Sequence, residues 1–248
     1  MFRQLSIEMQ VALIGLGVIW IGSFGIGMLL GQPNADRSKR LARWAKLVMI
    51  AVTLIIATIW WFSSAQGTSA TRFALLICLG LIACAVGDVL LAGLIPVQRA
   101  EVLSLVGFGI GHLFFIAGII EIRSLLNVAG ALPVLLAGAV GMITTTVAWW
   151  FLIRNPGGSR TLNIASLIYG ILLGASVAVA IGLTIETGAL IVMPFGLVLF
   201  LISDFLVAQH LIRKRNLFPY MRDAMWLVYS AAQVLIAFSI GFAVLLVK

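Results

Sequence analysis

Eight apolar runs separated by short polar connections fill almost the whole chain: residues 9–30, 44–63, 72–94, 102–121, 128–152, 162–184, 188–211 and 224–247. Each is close to the roughly 20 residues an α-helix needs to cross the hydrocarbon core of a bilayer. The connections carry turn-forming residues, as in Gln32-Pro33-Asn34, Ser63-Ser64-Ala65-Gln66-Gly67, Ile95-Pro96 and Asn155-Pro156-Gly157-Gly158. The pattern predicts an all-α membrane protein with eight transmembrane helices, a single domain over residues 1–248 with no extramembrane unit. The first run begins near Ile7 and reaches Leu30. That is too long for the apolar segment of a signal peptide, so it is read as a retained first span.

Composition sharpens this picture. The chain is 62% hydrophobic and 10% charged, with a mean hydropathy of +1.19; a soluble domain carries about 25% charged residues. In a soluble protein the net charge of +8 would suggest a nucleic-acid partner. Here the cations stand in the connections, so they read as topology determinants and no nucleic acid is expected. Arg37, Lys39, Arg40, Arg43, Lys46, Arg99, Arg154, Arg160, Arg213, Lys214, Arg215 and Arg222 fall on one side, against Arg3, Arg72, Arg123 and Lys248 on the other. The positive-inside rule then places both termini outside and the basic loops in the cytoplasm, as in a multi-pass protein of the cell (inner) membrane.

The remaining punctuation reads as structural. Cys78 and Cys84 point to different faces of one helix and serve as small packing residues. His112 and His210 lack flanking ligands, and no zinc spacing occurs, so neither a metal nor a cofactor is expected. The pairs Trp60-Trp61 and Trp149-Trp150 read as interfacial belts. The spacings Gly107-x-x-x-Gly111 and Gly170-x-x-x-Gly174 permit close helix packing.

Two carboxylates change the functional reading. Asp88 and Asp204 lie inside apolar runs, where an ionised group costs roughly 2.5–3.5 kcal/mol on insertion scales. Each is about sixteen residues into an expected span, roughly 24 Å along the axis at 1.5 Å per residue, so the two share one level in the cytoplasmic half. The early residues of spans two, four, six and eight bring Lys46, His112, Tyr169, Tyr229 and Gln233 to that level, and every strongly polar side chain within the spans is expected in that one half. Gln233 follows Tyr229 by one helical turn, so both point the same way. The offset between the two Asp motifs also divides the chain into two four-helix halves of like orientation. Two carboxylates in one low-dielectric site are not both readily ionised, so one can hold a proton while the other accepts one. Asp88 and Asp204 are therefore the candidate acid–base pair, and Lys46, His112, Tyr169, Tyr229 and Gln233 the candidate substrate-binding residues.

Taken together, Gly87-Asp88-x-x-Leu91, Gly107-x-x-x-Gly111-His112-x-x-Phe115, Ile168-Tyr169, Ser203-Asp204-x-x-Val207-Ala208 and Tyr229-x-x-x-Gln233-x-Leu235-Ile236 resemble the YhhN family, eight-span membrane proteins that include the lysoplasmalogenases. Leu47 stands where the family usually has Pro after the Lys, and Phe115 where many members have Tyr. The resemblance implies hydrolysis of the vinyl ether bond of lysoplasmalogens to a fatty aldehyde and a glycerophospho-headgroup. It also implies a lysophospholipid substrate, a membrane-lipid environment and no cofactor. Lys46 and nearby Arg residues would hold the phosphate. The rival reading is a proton-coupled transporter, because an intramembrane carboxylate pair and a possible repeat describe carriers as well.

Overall fold

The structure is a computed structural model that describes residues 5–247; Arg3 and Lys248, both used in the charge comparison, lie outside the described residues. The helices are α1 (Ile7–Leu30), α2 (Arg43–Trp60), α3 (Thr71–Leu91), α4 (Ala100–Leu125), α5 (Leu132–Ala148), α6 (Arg160–Thr187), α7 (Val192–Leu211) and α8 (Met221–Leu246). Five-residue π-helical turns, Trp61–Ala65 and Trp149–Ile153, prolong α2 and α5. No strand occurs among the described residues. All eight helices, with those turns included, are long and apolar enough to cross a membrane.

Helix ends follow local chemistry. Ser6 and Ser159 cap α1 and α6 by accepting from the amides of Met9 and Leu162, each at 3.3 Å. Gly188, at φ 67°, ends α6 in the left-handed conformation that a glycine adopts without strain. Helices α4 and α6 run further than their apolar runs suggest, and the added turns bring Arg123 and Glu186 together at 3.1 Å. The expectation that strongly polar groups within the helices cluster at one end is thereby corrected. Arg123 is buried far from the aspartates because a partner neutralises it and the carbonyl of Ala129 accepts from its guanidinium.

Helices α2, α3, α4, α6, α7 and α8 close a ring in that order, with α8 packing back on α2 and also touching α3. Helix α1 lies outside the ring against α2, and α5 lies outside against α6. Their apolar residues are accordingly left outward: only Gly138 and Gly141 of α5 proper are buried. A close, glycine-lined seam joins α3 to α4. A Cβ added at Gly111 would stand 2.6 Å from Cys84 Sγ and 3.0 Å from the Gly80 carbonyl, so only glycine admits this approach.

The tryptophan pairs depart from the belt reading. Trp60 is buried against Gly241 and meets Phe238 edge-on at 5.9 Å, and Trp149 donates through Nε1 to Ser166 at 2.9 Å. Adjacent residues on a helix point about 100° apart, so one ring of each pair turns inward. Trp61 is half-buried at the edge of the core, and only Trp150 of the four is exposed.

Candidate functional site

A cavity of about 480 Å³ lies inside the ring toward the end where the basic connections gather. That volume is within the usual range for a small-molecule site. Its outer rim carries Lys39, Arg43, Lys46 and Arg222, and its inner part is lined by Asp88, Asp204, Tyr169 and Tyr229. The five sequence candidates Lys46, Asp88, Tyr169, Asp204 and Tyr229 thus share one enclosure.

Each aspartate is held by a tyrosine from a neighbouring helix. Tyr229 of α8 donates to Asp88 Oδ2 of α3 at 2.8 Å, and Tyr169 of α6 donates to Asp204 Oδ2 of α7. Gln233 Nε2 donates in turn to the Tyr229 hydroxyl. That bond occupies the hydroxyl as an acceptor and leaves its hydrogen for Asp88. The two tyrosine rings flank Phe108, each with its centroid 6.1 Å away, so aromatic rings form the wall beside the pair. Asp88 is buried, and Asp204 is partly open to the cavity.

The two aspartates reach this place from unequal positions along their helices. Asp88 is in the last turn of α3, whereas Asp204 is about two turns from the end of α7. Equal offsets from the helix starts do not hold, because Leu190 has a positive φ of 57° in the connection and α7 begins only at Val192.

His112 and Gln233 do not line the cavity. Gln233 stands behind Tyr229. His112 stands behind the ring of Tyr169, with centroids 5.7 Å apart, and its Nδ1 is 2.8 Å from Ser176 Oγ. The Ser176 hydroxyl donates to the Leu173 carbonyl at 2.8 Å. It therefore accepts from His112, which assigns the imidazole hydrogen to Nδ1. His112 Nε2 is buried and has no hydrogen-bond partner among the described residues.

The rim is built by a residue that sequence reasoning missed. Asp223, buried in the first turn of α8, accepts from the backbone amides of Arg40 at 2.6 Å and Leu41 at 2.8 Å. Tyr220 and Arg222 add backbone bonds to the carbonyls of Arg37 and Ser38 at 2.7 and 2.9 Å. These bonds lash the connection between α1 and α2 to the start of α8 and gather the four rim cations. Burial, with the neighbouring Arg222 and Arg43 charges, holds the Lys39 ammonium below the ordinary lysine range. Lys46 is buried with its Nζ 4.9 Å from the Trp226 ring centroid, a cation–π contact. An acid in a first helical turn was visible as a local signal, but it reads equally as a complement to the helix dipole.

Among known families, the profile of the YhhN family matches residues 41–240. The chain belongs to the YhhN family. The match takes in helices α2 to α7 and most of α8, with both aspartates and every rim cation except Lys39, and leaves α1 outside. No curated protein and no solved structure matches the chain. Tyrosine-held carboxylates beneath a cationic rim offer acid–base groups and anion-binding charge within one enclosure.

Proposed function

We propose that this protein is a membrane hydrolase that cleaves the vinyl ether bond of lysoplasmalogens, with Asp88 and Asp204 as its acid–base pair. The observation that carries the reading is that one cavity holds two tyrosine-held carboxylates within and four cations at its rim. Membership of the YhhN family supports the same reaction class.

The chemistry follows from the bond. One Asp, protonated, gives its hydrogen to the β-carbon of the vinyl ether, and the π electrons shift to leave an oxocarbenium ion on the α-carbon. The other Asp, ionised, stabilises that cation and takes a proton from the water that adds to it. The hemiacetal then collapses, its hydroxyl hydrogen passing to the departing glycerol oxygen. The products are an aldehyde and an alcohol, and the pair again holds one proton. Tyr169 and Tyr229 fix one oxygen of each carboxylate and leave the other for the reacting groups. Gln233 and His112 hold those tyrosines from behind. Lys46, Lys39, Arg43 and Arg222 bind the phosphate.

The positive-inside bias supports placing the rim in the cytoplasm and both termini outside. Helices α3 and α7 occupy equivalent places in the ring, each followed by its closest partner (α4 and α8), which supports two four-helix halves.

The test is aldehyde release by purified protein from a lysoplasmalogen and from its saturated-ether counterpart. Only the vinyl ether should react, and Asp88→Asn or Asp204→Asn should each lower the rate by at least about a hundredfold with unchanged thermal stability. No aldehyde from folded wild-type protein, or full activity in either variant, overturns the proposal.

A further inference from the structure

The cavity does not stop at the aspartates. It continues sideways between α5 and α7, along a groove whose walls are Thr145 and Ala148 on one side and Ile202 and Phe205 on the other. Thr144 and Ile202, which also line it, are exposed on the outer surface of the bundle at mid-helix, so the cavity opens there. Near the basic end the opening is closed: α7 meets the π-helical turn Trp149–Ile153, and Gln209 donates to the Leu152 carbonyl at 3.0 Å. Beyond that bond α5 packs along α6 rather than on α7.

Gly170 forms the floor of this groove. The Gly-x-x-x-Gly spacing predicts that Gly170 and Gly174 both serve helix packing. Gly174 does so, pressed against Thr145 and Gly141 of α5, but a Cβ added at Gly170 would meet nothing within 4 Å. The glycine therefore widens a space instead of admitting a helix. It follows Tyr169, whose hydroxyl holds Asp204, so the groove starts beside the proposed reaction centre. Thr145 turns its hydroxyl back to the Gly141 carbonyl at 2.8 Å, which leaves that wall largely apolar.

We infer that the groove between α5 and α7 is a lateral portal that takes the hydrocarbon chain of the substrate directly from the membrane, with Gly170 keeping its floor open. The occupant is argued from the order of the lining: cations at the rim, carboxylates within, then an apolar channel leading to the lipid-facing surface. A single-chain phospholipid has its charge, its ether bond and its chain in that order. This inference rests on the proposed function but does not share its test.

Gly170→Phe and Gly170→Leu would fill the floor, and Gly170→Ala would scarcely change it. Turnover is compared for a long-chain lysoplasmalogen and a water-soluble short-chain vinyl ether bearing the same headgroup. The portal predicts at least a tenfold rise in KM for the long-chain substrate only, with Gly170→Ala near wild type. Equal effects on both substrates, or none, overturn it, while aldehyde release by the wild type keeps the hydrolase reading intact. A saturated lysophospholipid with a diazirine at its chain terminus gives a readout independent of turnover. Photolabelling of residues 144–148 and 201–205, lost in Gly170→Phe, supports the portal even if the protein proves not to be a hydrolase. Labelling confined to other helices overturns it.

Discussion

Tyr229 hands its hydroxyl hydrogen to Asp88 at 2.8 Å while accepting one from Gln233, a turn further along α8. The three side chains form a one-way line of donors that ends on a carboxylate. Tyr229→Phe should lower the rate of aldehyde release about 10–100-fold, and Gln233→Leu less, since the glutamine acts only through the tyrosine. The double variant should then be no slower than Tyr229→Phe alone, because the two residues belong to one network. Additive losses in measured rates would show that Gln233 acts elsewhere.

The Asp223 clamp predicts a stability defect together with a binding defect. Asp223→Ala leaves the amides of Arg40 and Leu41 buried without an acceptor, at a cost of about 2–3 kcal/mol. Thermal unfolding in detergent should shift down accordingly, and the KM for a phosphate-bearing substrate should rise as the rim cations spread apart. An unshifted melting temperature would mean that the connection between α1 and α2 holds itself.

Lys39 gives the rim a pH dependence. Its ammonium is held below the ordinary lysine range first by burial, then by Arg222 and Arg43. As pH rises through that lowered value Lys39 loses its charge, so phosphate binding weakens before ordinary lysines titrate. The KM should therefore climb on the alkaline side, and Lys39→Arg, which stays charged, should flatten that limb. A KM profile identical in the two proteins would remove Lys39 from phosphate binding.

The seam between α3 and α4 makes the sharpest packing prediction. Gly111→Val drives its side chain toward Cys84 and the Gly80 carbonyl. Backbone cannot yield as a flexible side chain does, so the loss should be about 1–3 kcal/mol or more. The variant should give less monodisperse protein after mild heating than Gly170→Ala, whose added methyl meets open space.

What the sequence made legible was what hydrophobicity and charge record locally. Eight runs of the right length yielded eight helices, and the rarity of carboxylates in such runs singled out Asp88 and Asp204. Relations across the ring were not recorded in this way. The bond from Asp223 to Arg40 spans 183 residues, and nothing near Asp223 separates a clamp from a dipole complement. Gly170 and Gly174 share one spacing, yet only one of them touches a neighbouring helix. The Trp pairs look alike as strings, yet Trp150 is exposed while Trp61 packs half-buried against the core. The late start of α7 was masked because residues 188–191 are apolar enough to pass for helix.

The closed ring has a consequence for how the protein is made. Asp88 leaves the ribosome 141 residues before Tyr229, its hydrogen-bond donor, and α8 is the piece that seals the circle. Until then α3 sits in the membrane bearing an acid with nothing to hold it, so chains stopped short of α8 should be the ones that quality control removes.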